Sequence, residues 1–159
     1  MHKAFTKWLV IAVVVVALDQ LAKFVITRSF TLHESLEITS FFNLVLVYNQ
    51  GAAFSFLSDA GGWQRIFFTM IALVASVWIT WLLSRHAAQT LFCLALSLIL
   101  GGAVGNVIDR IVIGAVVDFF DFHAYGVHWP AFNVADAAIS CGAALLIWDA
   151  FKTQKPATA

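Results

Sequence analysis

The sequence predicts an all-α membrane protein of four transmembrane helices with a small extracytoplasmic region of β-sheet and loops. Two observations carry this. Of 159 residues, 62% are hydrophobic and 11% charged, whereas a soluble domain carries about 25% charged residues. A globule of this length cannot hide so much apolar surface, so lipid must cover part of it. The apolar residues are also gathered into four runs, each close to the roughly 20 residues that cross a bilayer as a helix. At this length a single domain over residues 1–159 is expected.

The first run extends from about Trp8 to Ile26, after His2, Lys3 and Lys7. It is longer than the apolar core of a cleaved leader and no A-x-A site follows it, so it reads as a retained helix. A polar connection follows, from Thr27 to Arg65. In it Phe41–Tyr48 reads as a strand, Asn49-Gln50-Gly51 as a turn and Ala52–Leu57 as a returning strand. Such a sheet can rest on the membrane surface. The second run spans about Ile66–Leu83 and the third about Leu91–Val107. A shorter connection holds the strand-like Val116-Val117-Asp118-Phe119-Phe120, and the fourth run spans about Phe132–Phe151. No run contains proline, as suits helices. The tail from Lys155 to Ala159 is expected to be disordered.

With four spans, Lys3, Lys7, Arg85, Lys152 and Lys155 share one side, which the positive-inside rule assigns to the cytoplasm together with both termini. Arg28, Arg65 and Arg110 fall outside among Glu34, Glu37, Asp59, Asp109, Asp118 and Asp121. Trp8, Trp81 and Trp148 are expected in an inner aromatic belt, and Trp63 and Trp129 in an outer one.

Zero net charge gives no case for a nucleic-acid partner. Cys93 and Cys141 lie in apolar runs and read as small buried residues rather than a disulfide or metal ligands. His33, His86, His123 and His128 lack metal-site spacing, so neither metal nor cofactor is expected. No serine has the partners of a nucleophile, and there is no phosphate loop or dinucleotide fingerprint.

Ionisable groups within spans are costly and mark function or helix–helix contacts. Asp19 and Lys23, at i and i+4, share a face and can pair. Gly101 and Gly105 form a G-x-x-x-G pattern that permits close helix approach. Asn106, Asp109 and Arg110 follow on one face. Asp109 and Arg110 can pair with each other or hold substrate backbone. Asn133 and Asp136, three apart, share a face at the start of the fourth helix; the alternative is that Asn133 is its N-cap, which leaves Asp136 in the first turn, where the helix dipole favours a carboxylate.

A strand normally avoids aspartate, which makes Asp118 the unusual residue. Asp118 and Asp136 approach the same end of the bundle through a short connection. Two carboxylates in one site do not ionise together easily. Such a pair can hydrolyse an amide: one member activates water and the other protonates or polarises the carbonyl. Asp121, read as sharing the strand face of Asp118, is an open competitor. A transporter with charges along the bilayer midplane fits less well, because these charges gather at one face. A purely structural scaffold is the other alternative.

In order along the chain, five motifs resemble the bacterial lipoprotein signal peptidase (signal peptidase II) family. They are Asp19-Gln20-Leu21-Ala22-Lys23, Tyr48-Asn49-Gln50-Gly51-Ala52-Ala53-Phe54, Gly101-Gly102-Ala103-Val104-Gly105-Asn106 with Asp109-Arg110, Val116-Val117-Asp118-Phe119, and Phe132-Asn133-Val134-Ala135-Asp136. The resemblance runs from about Trp8 to Ala150. It implies an aspartic endopeptidase with Asp118 and Asp136 as the catalytic pair, in place of Asp121. It implies that Asn49, Gly51, Asn106, Asp109, Arg110 and Asn133 line the site and that Asp19 and Lys23 support it. The implied substrate is a prolipoprotein cleaved just before a diacylglyceryl-modified cysteine. The implied setting is the bacterial inner membrane, with a monomer whose site is on the extracytoplasmic face. On this reading the segments Asn43–Leu57 and Phe119–Pro130 cover the site and limit water.

Overall fold

The computed structural model describes residues 2–50 and 63–153. Gly51 and the expected strand Ala52–Leu57 lie outside the described residues. The described residues form four helices: α1 (His2–Ser29), α2 (Trp63–Arg85), α3 (Thr90–Val112) and α4 (Val134–Thr153). All four are long and apolar enough to cross a membrane. Each extends beyond the apolar run that predicts it at one or both ends.

Helix α3 is the centre of the bundle and packs against the other three. In its most apolar stretch 61% of residues are buried, against 28% for α1 and 11% each for α2 and α4. Glycine makes this packing possible. A Cβ on Gly101 would meet Val15 Cβ at 2.6 Å, and one on Gly105 would meet Asp19 Oδ2 at 2.6 Å, so both let α1 lie close to α3. At one end of the bundle Trp8, Ile79, Leu83, Cys93, Leu96 and Leu100 form an apolar core. Trp8 belongs to that core rather than to an aromatic belt. It is 3% exposed, and its indole donates to Ala87 O at 2.9 Å. Trp81, Trp148, Trp63 and Trp129 remain exposed, as expected of belt residues.

The other end carries an antiparallel sheet of β1 (Ser35–Thr39), β2 (Phe42–Asn49), β3 (Val116–Ala124) and β4 (Val127–His128), paired in that order. The strands β2 and β3 match the two predicted runs. Strand β1 was not predicted, and the expected loop Phe119–Pro130 is instead mostly a β3–β4 hairpin. Its two-residue turn, Tyr125-Gly126, has φ of 52° and 77°, the mirror-image turn that fits the twist of paired strands. Ile26, Leu46, Val117 and Phe119 pack the sheet onto α1. Within β2 the register shifts between Leu44 and Val47. This bulge inserts one residue and reverses which face the later side chains occupy.

Candidate active site

Helix α4 begins in a reciprocal cap. Asn133 Oδ1 accepts from the Asp136 backbone N–H at 2.9 Å. The Asn133 N–H in turn donates to Asp136 Oδ2 at 3.3 Å. This is a capping box with aspartate in place of the usual glutamate or glutamine. Across the bundle Asp19 Oδ1 accepts from the Ala135 N–H at 2.9 Å, which satisfies another of the orphan donors of the first turn. Capping and site-building are therefore the same contacts.

The Asn133 side chain is fully buried and its amide nitrogen joins α4 to β3. It donates to Asp118 Oδ1 at 2.7 Å and to Val117 O at 3.2 Å. The other oxygen of Asp118 accepts from Asn49 Nδ2 at 3.0 Å. Asn106 Nδ2 donates to Asp136 Oδ1 at 2.8 Å. Two carboxylates from different elements are thus held by three carboxamides. Asp118 is 2% exposed. Burial, with the Asp136 carboxylate next in importance, pushes it up to about 7 against the pull of the Asn49 and Asn133 hydrogen bonds.

Behind this pair lies a buried charge cluster. Lys23 Nζ is 2.8 Å from Asp19 Oδ2 and 2.7 Å from Asp109 Oδ2, and it donates to Asn106 Oδ1 at 3.0 Å. These partners use all three ammonium donors. Because Lys23 takes the Asn106 oxygen, the Asn106 NH₂ must face Asp136. Asp109 also accepts from the Val117 N–H at 3.1 Å and from Gln20 Nε2 at 2.9 Å. The expected i, i+4 pair is present, but its second carboxylate comes from α3. Asp109 therefore pairs with Lys23 and not with its neighbour Arg110.

Asp121 lies elsewhere. The odd step from Asp118 places the two on opposite faces of β3, so the expectation of a shared face is overturned. Asp121 accepts from Asn43 Nδ2 at 2.8 Å and is 2.9 Å from His128 Nδ1. Partial burial raises its pKa, but the hydrogen bonds from His128 and Asn43 outweigh that and hold it below the ordinary carboxylate range.

A cleft of 330 Å³ opens on Asp136, lined on its polar side also by Asn49, Asn106 and Arg110; Asp118 is buried beside it and reaches it through its Asn49 partner. The segment Trp129–Phe132, which follows β4, forms one wall. Backbone bonds between Phe120 and Phe132 hold this segment to β3, with Phe120 N donating to Phe132 O at 2.8 Å and Phe132 N donating to Phe120 O at 3.1 Å. A substrate backbone entering here meets amide donors, a guanidinium and a carboxylate in a largely apolar trough.

The chain matches the family model described as signal peptidase (SPase) II over residues 11–152. It is 66% identical over 142 residues to the lipoprotein signal peptidase of Cupriavidus necator, covering 89% of this chain and 81% of that protein. The corresponding protein of Ralstonia nicotianae is 63% identical, with coverage of 89% and 82%. A bacterial membrane enzyme solved by the in meso method at 2.3 Å superposes with a TM-score of 0.85 at 32% identity, covering 97% of this chain and 94% of that one. A second such structure, at 1.9 Å, gives a TM-score of 0.80 at 33% identity, with coverage of 92% and 94%.

This chain belongs to the signal peptidase II family.

For a signal peptidase II, this fold brings together nearly all the residues singled out in the sequence. Asp19, Lys23, Asn49, Asn106, Asp109, Asp118, Asn133 and Asp136 form one continuous network of hydrogen bonds and ion pairs, and Arg110 stands at its rim. Gly51 lies outside the described residues. Sequence reasoning missed three features. Gln20 bridges Asp109 and Gly105 O, the latter at 3.2 Å. Ser140 lines the cleft one turn after Asp136, a spacing legible in principle as a shared helix face. Cys141 also lines the cleft and is exposed rather than buried.

Proposed function

We propose that this peptidase is an aspartic endopeptidase that removes the signal peptide from diacylglyceryl-modified prolipoproteins, with Asp118 and Asp136 as the catalytic pair. The observation that carries the reading is the Asn133 carboxamide. It donates to Asp118 while its oxygen accepts from the Asp136 backbone N–H and the Asn133 backbone N–H donates to the Asp136 carboxyl, so one residue ties both aspartates to one site.

The pair shares a proton, because a second negative charge in a buried site is costly. Asp118, the more enclosed, holds it as pH rises toward about 7. Asp136 lines the cleft and, as the carboxylate, takes a proton from water as the water attacks the scissile carbonyl. Asp118 donates to the carbonyl oxygen. Collapse of the tetrahedral intermediate then passes a proton to the leaving amine of the lipidated cysteine. Asn49, Asn106 and Arg110 orient the substrate backbone, and Asp19, Lys23 and Asp109 keep Asn106 in register. The diacylglyceryl group remains in lipid while the peptide enters the cleft. The site then faces the extracytoplasmic side of the bacterial inner membrane, both termini face the cytoplasm, and one protomer suffices.

The test is cleavage of a diacylglyceryl-modified prolipopeptide, with the product mass fixing the bond cut. Asp118→Asn and Asp136→Asn each reduce turnover by about 10³-fold or more, the scale of losing a catalytic proton-transfer group. Cleavage before the modified cysteine by either variant at the wild-type rate, in a folded protein, rejects the dyad.

A further inference from the structure

At the sheet end of the bundle a second, smaller pocket of 170 Å³ lies between α2 and α3, lined by Arg65, Ile66, Thr69, Met70, Arg110 and Ile111. Two guanidinium groups line it. Arg65 stands in the first turn of α2, which has no acidic residue, so its charge adds to the positive end of a helix dipole instead of opposing a negative one. It is placed against Gly114, whose hypothetical Cβ would lie 3.1 Å from Arg65 Nη1. Arg110 comes from the last turn of α3 and lies over the Phe68 ring at 5.9 Å. Among the described residues its side-chain hydrogen bond, from Nη1 to Asn106 O, is long at 3.4 Å, and its buried Nε has no hydrogen-bond partner there. Among the described residues neither arginine forms an ion pair. The Asp136, Asp109 and Asp118 carboxylates act on Arg110 from the cleft side, but among the described residues its Nε has no acceptor and Arg65 has no ion pair, so the pocket side keeps guanidinium donors for an anionic group.

The pocket walls decide what kind of anion. Ile66, Met70 and Ile111 are 67%, 54% and 62% exposed, on helices that span the membrane. A free aqueous anion gains nothing from these walls, whereas an amphiphile places its chains along them and its charge at the helix ends. We propose that the Arg65–Arg110 pocket binds the phosphate of an anionic phospholipid, with the acyl chains lying along the Ile66, Met70 and Ile111 surface. Arg110 lines both this pocket and the cleft, so a lipid held here also fixes the guanidinium at the cleft rim.

The test uses intact protein in nanodiscs of phosphatidylcholine doped with phosphatidylglycerol, and reads the lipids retained on release by native mass spectrometry. Wild type retains phosphatidylglycerol over both phosphatidylcholine and neutral diacylglycerol. Arg65→Gln lowers that retention about tenfold, the loss of one charge-assisted contact, and Arg65→Lys restores part of it. Arg28→Gln removes another cation from the same end of the bundle and leaves retention unchanged. Three results overturn the proposal: no headgroup preference in wild type, equal losses in Arg28→Gln and Arg65→Gln, or displacement of the lipid by inorganic phosphate. If Arg65→Gln fails to fold, Arg65→Lys carries the comparison, and a wild type without headgroup preference rejects the proposal without any variant.

Discussion

The two faces of β3 carry the same chemistry to opposite ends. On the inner face Asp118 accepts from Asn49 at 3.0 Å. On the outer face Asp121 accepts from Asn43 at 2.8 Å. Both are aspartates bonded by an asparagine from β2. What differs is what lies across from them. Asp118 meets burial and a second carboxylate, and is pushed up to about 7. Asp121 meets His128, whose side chain is 56% exposed, and is held below the ordinary carboxylate range. The bulge in β2 creates this division. Asn43 and Asn49 are an even number of residues apart and would share a face of a regular strand. The inserted residue turns them to opposite faces, one for each aspartate. A carboxylate–carboxamide pair is thus a scaffold contact or a proton site according to its third neighbour.

The largest effect on this contrast comes from removing the charge behind the inner face. Lys23→Met leaves Asp19 and Asp109 buried without their ammonium, and breaking a buried pair in this way costs about 3–5 kcal/mol. It also frees the Asn106 carboxamide to rotate. Thermal unfolding in detergent micelles should fall accordingly, with peptidase activity falling alongside. A Lys23→Met protein with wild-type stability would mean that the cluster is solvated in the bilayer.

Next is Asn133→Ala, which removes an N-cap and the bridge between the two aspartates together. Cap loss costs about 0.5–2 kcal/mol of stability. Loss of the hydrogen bond to the protonated Asp118 carboxyl, about 0.5–1.5 kcal/mol, corresponds to a fall in kcat/KM of roughly 2–10-fold. Asn43→Ala, the counterpart on the outer face, should leave kcat/KM within about threefold, as expected of a residue remote from the reacting atoms.

The same contrast marks what the sequence revealed and what it did not. The four helices were legible because lipid demands long apolar runs, and nothing else in a chain of this length looks like them. The inner-face residues stood out because charge inside a span is expensive. Strand β1 was invisible: Ser35–Thr39 is exposed throughout and therefore has no buried alternation to read. The bulge was equally invisible, since an inserted residue has no composition; Asp121 stood as a rival only because it was read on the face of Asp118, whereas a step of three residues along β3 puts it on the other. The pairing of Lys23 with Asp109 crosses from α1 to α3, a proximity that local spacing cannot supply. Trp8 was misplaced because amphipathic belts and helix ends share a composition, and only packing against Ala87 distinguishes them.

Asn49→Ala tests the proton assignment more finely. The Asn49 bond favours the ionised form of Asp118, so removing it makes the proton harder to lose. The alkaline limb of kcat/KM, expected near pH 7 in wild type, should move up by about 1 pH unit, the equivalent of one hydrogen bond. A downward move would assign the limb to another group. Stability follows the same sign. Folded Asp118 binds its proton more tightly than the unfolded chain does, so its contribution declines as pH rises from 3.8 through about 7 and is level above that.

The smallest expected effect is on the outer face, and it has the opposite pH sense. Asp121→Asn should leave activity within about twofold and cost about 1 kcal/mol, because the buried Asp121 carboxylate pairs with a His128 side chain that stays in contact with solvent. Because folded Asp121 holds its proton less tightly than the unfolded chain does, the stability it contributes is present above the unfolded pKa and lost as pH falls through the folded one. Wild type and Asp121→Asn should therefore differ in melting temperature at neutral pH and converge in acid, while the stability burden of Asp118 appears only as pH rises. If Asp121→Asn instead abolished cleavage in a folded protein, the outer face would belong to the reaction. The division imposed by the β2 bulge would then be structural only.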